Sequence, residues 1–440
     1  MKADGLAGAA ADRPPITHAL ASLRGAPWLA AAVALAVLPY VPGLDGNFGR
    51  SLLSQMGIAA VFALSYNLLL GQTGLLSFGH AVYFGLGAYA SIHLMRAIDG
   101  GLPIPMPLVP LAGAAAGLCF GMLFGAVTVR RAGVVFALIS LGIGELVFAA
   151  MRILQSFSGG EEGITANRGL GPHPFGFTFG PQIQVYYVIA FWAMVSALLL
   201  AAFLRTPVGR MCNAVRDNPE RAAFVGYDPV RVRFVAFSVA AMFAGLAGGL
   251  HALNYEIVAA EAVGAGRSGA VLLMVYIGGV QHFFGAVLGA VVITWLQASL
   301  SDYTGAWQLY VGLFFIAMVL FAPGGLSGLL LVHRGIVRSR AFWAVLGAYA
   351  IAAVPFTLAA CGAIALLEIN YRRATQPDAG ATVRLLGRNL DTSTPWPWLA
   401  ALALLVIGAL LLRPSLARVK RAWTEASEQA KSPAAPRPAR

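Results

Sequence analysis

The stretch Gly71–Tyr89, "GQTGLLSFGHAVYFGLGAY", is an apolar run with a glycine every few residues and a histidine, His80, at its centre. Glycine weakens helices, so the run is a poor soluble helix, and it is too apolar for an exposed loop. Irregular backbone at membrane depth is tolerated only where protein covers it or water reaches it. We therefore expect a bent membrane segment whose polar groups, Ser77 and His80, face the protein interior.

The composition of the whole chain places that stretch in a membrane protein. Of 440 residues, 59% are hydrophobic and 11% are charged, against about 25% charged in a soluble domain. Apolar runs of about 17–25 residues, enough to cross about 30 Å of hydrocarbon, recur throughout. The predicted fold is an all-α polytopic integral membrane protein with about ten spans in residues 28–330 and an additional pair beyond them. The expected spans are 28–43, 51–70, 74–95, 104–129, 133–154, 183–204, 234–255, 267–281, 284–301, 306–323, 341–367 and 396–412.

The distribution of lysine and arginine predicts the orientation, because basic residues collect in cytoplasmic loops. With twelve spans and the N-terminus inside, the cytoplasmic segments carry a net charge of +14, against +12 for the whole chain. These segments are 1–27, 130–131, 205–233, 331–340 and 413–440. Residues 1–27 and 413–440 are then cytoplasmic tails, and the second, with its polar, Pro/Ala-rich end, is predicted to be disordered. Residues 331–412 form a linker and an extra transmembrane hairpin, although the arginine-rich loop 368–395 falls outside and opposes this arrangement.

Several functional classes find no support in the sequence. The three cysteines lie far apart without metal-site spacing, so neither a disulfide framework nor a zinc site is expected. No Gly-Lys dipeptide occurs, which excludes a phosphate-binding loop of the GxxxxGK[ST] type. Any ATP must therefore be used by another chain, and no cofactor is expected in this one. The basic groups lack interleaved aromatics, so no nucleic-acid partner is expected, while membrane lipid is.

The long loop 205–233, "RTPVGRMCNAVRDNPERAAFVGYDPVRVR", is more patterned than a simple connection. Two short helices are predicted, over residues 211–216 and 219–225, with Asn218 as an N-cap and Gly226 as the C-terminal stop. Such an amphipathic segment, ringed by arginines such as Arg216 and Arg221, suits the grip of a soluble partner. A plain solvated positive-inside loop is the alternative.

Glu145, in "LGIGELVF", is the acid expected within a span. Arg152 lies seven residues on, two helical turns away and on the same face. A buried ionisable group raises a functional hypothesis by default. Glu145 is accordingly either a structural ion-pair partner of Arg152 or a contact for a passing ammonium group.

A family resemblance joins these features. Residues 220–226, "ERAAFVG", resemble the EAA-type loop of ABC importer permeases, with Glu220, Ala222, Ala223 and Gly226 fitting and Arg221 intervening. The segments "NLLLGQTGLLSFGHAVYFGLGAYAS", "SGGEEGI", "RTPVGRMCNAVRDNPERAAFVGYDPVRVRFVAFSVAAMFAGLAGGL" and "VLLMVYIGGVQHFFGAVLGAVV" occur in the order found in permeases of the branched-chain amino acid ABC transporter family. The chain resembles that family over residues 28–330.

The resemblance implies a bacterial inner-membrane permease with both termini cytoplasmic. Its partners would be ABC ATP-binding subunits, a second permease (a sister chain or a second copy) and an extracytoplasmic solute-binding protein. The solute would be a branched-chain amino acid or a related small polar molecule. Residues 205–233 would couple ATP hydrolysis on the partner to transport. The segment after the second span would line the solute pathway, with Gly74, Ser77, Gly79, His80 and Glu145 as the candidate residues. The alternative for His80 is a neutral donor in helix packing without contact to solute. The sequence departs from the family pattern at "GGVQHFFG" (278–285), at Glu161–Glu162 and after residue 340.

Two other functions remain open from sequence. A proton-coupled secondary transporter would use His80 and Glu145 as a relay, but this leaves the pattern of residues 205–233 unexplained. An intramembrane enzyme lacks an acid–base cluster or a serine–base pairing within the spans.

Overall fold

The computed structural model describes residues 26–171, 176–337, 342–375, 382–385, 388–391 and 394–431. The chain forms two compact units divided between Trp295 and Leu296. The tail expected at residues 1–27 lies almost entirely outside the described residues. Each unit is considered by itself below.

The first unit is helical, with long apolar helices broken by short turns. Its helices are α1 (Ala26–Val37), α2 (Asn47–Asn67), α3 (Ala81–Asp99), α4 (Val109–Thr128), α5 (Val134–Ile153), α6 (Gln155–Ser158), α7 (Gln182–Arg205), α8 (Pro207–Asp217), α9 (Pro219–Phe224), α10 (Pro229–Tyr255), α11 (Ala265–Gly278) and the greater part of α12 (Phe283–Tyr303). One short antiparallel ladder joins β1 (Ile164–Thr165) to β2 (Ile257–Val258).

The second unit begins in the last turns of α12. It continues through α13 (Trp307–Phe321), α14 (Gly325–Val337), α15 (Phe342–Thr375) and α16 (Trp396–Lys431). Between α15 and α16 a small hairpin pairs β3 (Thr382–Leu385) with β4 (Arg388–Asp391), which the sequence did not predict.

The predicted fold class is confirmed. Within the described residues, nine helices are long and apolar enough to cross a membrane, or ten if the bent pair α13–α14 is one span. The twelve expected spans were too many by this measure. The expected span 28–43 is a short apolar helix, Pro27–Tyr40, and the expected span 74–95 becomes helical only at Ala81.

Close approach of glycines builds the centre of the first unit, where α10 packs against α3 and α4. A Cβ on Gly245 would strike the backbone of Gly113 and Gly117, and one on Gly248 would strike the carbonyl of Phe84. Lipid gives packed helices little hydrophobic drive, so such backbone approach becomes the main source of attraction. Small residues here are therefore a condition of the packing.

The tail expected to be disordered over residues 413–440 is helical as far as Lys431. The correction has a local reason: "ARVKRAWTEASEQAK" is rich in good helix formers that extend α16 beyond its apolar part. The remaining residues, 432–440, lie outside the described part of the chain.

Candidate coupling loop and solute pathway

Two short helices occupy the loop 205–233, as the sequence predicts. Thr206 Oγ1 accepts a hydrogen bond from the Gly209 amide at 3.1 Å and caps α8, which begins earlier than expected. Asn218 Oδ1 accepts from the Arg221 amide at 2.9 Å and caps α9. Gly226 has φ +92°, the left-handed conformation that favours glycine, and stops the helix. The cap and the stop are therefore confirmed.

The short helix α9 has one anchored side and one free side. Ala222 packs in a buried cluster with the side chains of Cys212, Val215, Val232 and Ala236. Burial in this cluster raises the pKa of the Cys212 thiol to about 12, so the thiol stays protonated at neutral pH. The other candidates, Glu220, Arg221 and Ala223, are exposed.

Two apolar side chains at the end of α9 are strongly exposed. Phe224 is 90% exposed, and Val225, directly after the helix, is 70% exposed. Sequence reasoning missed both residues. An aromatic–aliphatic pair at the end of a capped, arginine-rich helix was the signal available. Exposed apolar groups on a rigid helix outside the membrane are typical of a protein-binding surface.

Arg216 connects this loop to the glycine-rich segment. Its Nη1 donates to the carbonyl oxygen of Gly71, and its Cγ would lie 2.9 Å from a Cβ placed on Gly74. The same side chain pairs with Asp217 at 3.0 Å. Gly74 has φ +69°, so a side chain there would be strained as well as crowded. Gly74 thus receives Arg216 rather than opening onto a cavity.

The expected broken helix is present. α2 ends at Asn67, a π turn covers Leu68–Gln72, and no helix resumes before Ala81. Polar groups from neighbouring helices hold the non-helical backbone. Tyr66 Oη donates to Ser77 O at 2.9 Å, Ser140 Oγ accepts from the Phe78 amide at 3.0 Å, and Ser268 Oγ accepts from the Ala81 amide at 3.0 Å. The break is therefore covered by protein and fixed in place.

Gly79 lies directly on α5. A Cβ there would overlap the carbonyl oxygen of Ser140, so the glycine is required for helix packing and does not border open space. Ser77 is also fully buried. These two candidates are structural neighbours of the break, and their contact with solute is not apparent from the geometry.

His80 is fully buried in an aromatic setting. Its ring stacks on Phe62 at 5.5 Å and meets the edges of the Tyr66 and Tyr83 rings. The Ser65 hydroxyl donates to the Phe62 carbonyl, so His80 Nε2–H donates to Ser65 Oγ, 3.0 Å away. Within the described residues no acidic side chain bonds to His80, which offers no support for a proton relay.

Glu145 and Arg152 do not form the ion pair that their spacing suggested. Arg152 Nη2 pairs with Glu161 of the following loop. Seven residues along a helix separate two positions by roughly 10 Å, whereas the loop after α5 folds back within reach of Arg152. Glu145 is exposed on α5, with no hydrogen bond or ion pair to the described residues.

Comparison with known proteins places these features in a family. Residues 50–323 match the family described as "Branched-chain amino acid transport system / permease component". The high-affinity branched-chain amino acid transport system permease protein LivM of Salmonella typhimurium is 28% identical over 61% of this chain and 67% of its own length, and the Escherichia coli LivM gives the same values. The galactose/methyl galactoside import permease protein MglC of Haemophilus influenzae is 24% identical over 60% of this chain and 82% of its own.

No solved structure matches the chain significantly. The family match, however, covers more than half of the sequence, including the loop 205–233 and the broken segment. Permeases of this family are transport subunits of ABC systems, and separate ATPase subunits hydrolyse the ATP. The chain therefore belongs to the branched-chain amino acid transport permease family and is a membrane-embedded transport subunit rather than an enzyme.

Proposed function

We propose that this chain forms half of the solute path of a bacterial inner-membrane importer for branched-chain amino acids or a related small polar solute. A second permease, either a sister chain or a second copy, completes the path. An extracytoplasmic binding protein delivers the solute, and both termini lie in the cytoplasm. The likeness to LivM supports the amino-acid assignment, and the charge distribution supports the orientation.

The observation that carries the proposal is the two-sided helix α9. Its inner side is anchored through Ala222, while Phe224 and Val225 stand exposed at its end. In our proposal the ATPase subunit binds this apolar pair, with Glu220 and Arg221 at the polar rim. Gly226 allows the sharp exit from the helix. Apolar side chains at the centre of a protein interface contribute most of its binding energy.

Arg216 supplies the next step of the coupling. It lies on α8, adjacent to α9, and bonds the Gly71 carbonyl at the start of the broken segment. A displacement of α8 and α9 by the ATPase would thus be passed to Gly71–His80. Ala223 is exposed beside Phe224 and belongs to the same docking surface.

The experiment compares purified transporter complexes. Phe224→Ser should lower the amount of co-purified ATPase at least tenfold and abolish ATP-dependent uptake, because the apolar contact is lost. Glu220→Arg should act in the same direction through charge at the rim. Arg231→Ala is the matched control in the same loop, since Arg231 makes only an exposed pair with Asp228 at 3.3 Å, and such pairs contribute little.

All three variants should insert normally, because none touches the buried cluster. Normal uptake with full ATPase retention in Phe224→Ser would refute the docking assignment. Equal loss in Arg231→Ala would show that the whole loop, and not the apolar pair, is sensitive.

A further inference from the structure

Arg267 is a cation inside the first unit with no carboxylate partner. It lies near the start of α11, half-buried, with its guanidinium carbon 4.8 Å above the Phe84 ring. Its Nη2 lies 3.4 Å from His251 Nε2. Among the described residues no Asp or Glu forms an ion pair with it. A guanidinium offers five N–H donors, and a charged group in a span is costly without a partner.

Glu145, on the neighbouring helix α5, is an exposed acid that forms no ion pair with the described residues. The ladder of β1 with β2 joins the segment after α5 to the segment before α11, so α5 ends on the side where α11 begins. The position of a Cβ on Gly264 lies 3.7 Å from Phe148 Cε2, which sets Gly264 and Phe148 at one level. Glu145 and Arg267 are each three residues further from that end, about one helical turn.

Two opposite charges therefore lie at a similar depth on adjacent helices, yet they do not pair with each other. Glu145 has open space beside it, since a Cβ added at Gly142, about one turn away on the same side of α5, would meet nothing within 4 Å. Gly142, Glu145 and Ala149 form one exposed stripe of α5. Unpaired charges at membrane depth require water or a charged ligand.

We propose that Glu145 and Arg267 bind the two ends of a zwitterionic solute, with Arg267 taking its carboxylate and Glu145 its ammonium group. The guanidinium fork matches a carboxylate in two parallel charge-assisted hydrogen bonds. A sugar carries neither charged group, so this pair selects amino acids against the hexoses named for MglC. The inference rests on the proposed permease function and assigns the solute class to particular residues.

The test measures solute binding without depending on ATPase coupling. Ala149→Cys is introduced into a chain carrying Cys119→Ser and Cys361→Ser, and the complete transporter is studied in membrane vesicles. A water-soluble thiol reagent should modify Ala149→Cys, because its stripe faces the solute path. The matched control is Val406→Cys on α16, also exposed, at 47% for Val406. That position should not react, since it faces lipid.

Leucine at millimolar concentration should slow the modification of Ala149→Cys several-fold. Leucinamide, 4-methylpentanoate and galactose, which lack one or both charged ends, should slow it much less. The protection by leucine should disappear in Arg267→Gln and in Glu145→Gln. Arg267→Lys keeps the charge and should retain part of the protection. His251→Asn leaves both charges in place and removes the imidazole, with its contact to Arg267 and its ring contacts with Phe84 and Tyr255, and should retain most of the protection.

Four results would overturn the proposal. These are an unreactive Ala149→Cys, no protection by leucine, equal protection by galactose, or protection that survives Arg267→Gln. If Arg267→Gln does not accumulate in the membrane, Arg267→Lys and Glu145→Gln still decide the question. Failure of the permease function would appear differently, as absence of the ATPase from the purified complex.

Discussion

The central helices of the first unit, α2 and α10, are less apolar but more buried than α15 and α16, the helical hairpin of the second unit. In the spans that contain α2 and α10, 72% of the apolar 18-residue stretch is buried, and the mean hydropathy of that stretch is 1.5 and 1.7 respectively. In the α15 and α16 spans only 17% and 11% is buried, although the mean hydropathy is 2.2 in both. Of these four spans, the two more apolar ones are thus the less buried. Hydropathy here reports exposure to lipid, while the protein interior is built from smaller and more polar residues.

The contents of the two regions differ accordingly. In the first unit, backbone amides donate hydrogen bonds to Ser140 and Ser268 on other helices, and glycines make direct backbone contacts. The hairpin has a glycine seam, with Gly362 against Leu405 and Gly408 against Ala359. Its principal buried polar group is Glu368, which accepts from Tyr310 at 3.1 Å and pairs with Arg372 at 3.6 Å. Both regions are held by close backbone approach at glycines, and the first has in addition hydrogen bonds between helices that fix its non-helical backbone.

The largest effect is expected from a glycine substitution in the first region, compared with a matched substitution in the second. Gly79→Leu should abolish uptake, because any side chain at Gly79 overlaps the carbonyl of Ser140 on α5. Gly347→Leu on α15 is the matched control, since a Cβ there meets nothing within 4 Å. Uptake and abundance in the membrane are measured for both variants. Equal uptake by the two variants would show that the difference in packing between the two regions does not affect transport.

A smaller effect is expected from removing the hairpin. Truncation after Leu331 deletes Glu368, the partner of Tyr310, and Tyr371, whose ring covers Gly305. Uptake per molecule should persist while abundance in the membrane falls several-fold. Tyr310→Phe in the full chain removes only the hydrogen bond and should change abundance little. A truncated protein that inserts normally but transports nothing would place the hairpin in the pathway or in the contact with the second permease.

The smallest effect is expected at His80. His80→Gln keeps a hydrogen-bonding group near Ser65 and loses the ring contacts with Phe62 and Tyr66. Uptake should stay within about threefold of the parent, consistent with a change of less than 1 kcal/mol, and should vary little between pH 6 and 8. Ser65→Ala, which removes the partner of His80, should behave similarly. Abolished uptake together with its pH dependence, alongside a harmless Gly79→Leu, would favour the proton-coupled alternative.

Local signals predicted much of the candidate site. The caps at Asn218 and Gly226 depend on neighbouring residues, and the structure has both. The bend in the glycine-rich segment was visible because glycines cluster there, but its extent was not, since helix was expected from residue 74 and begins at Ala81. By contrast, the suggested pairing of Glu145 with Arg152 was wrong, because the loop after α5 brings Glu161 closer to Arg152. Phe224 was missed since exposure of a single aromatic residue depends on which side of α9 faces the cluster around Cys212.

The sequence by itself determined that this chain is a helical membrane protein, where most spans lie, and which loop carries the family motif. Those features follow from hydropathy, charge and nearest-neighbour chemistry, which act over a few residues to one span. Only the tertiary structure decided that Arg216 reaches Gly71, 145 positions away in the chain, and that Gly79 packs on Ser140. It also brought Phe148 of α5 beside Gly264, just before α11. Contacts between distant segments depend on how whole helices pack, and no short pattern of residues encodes that packing.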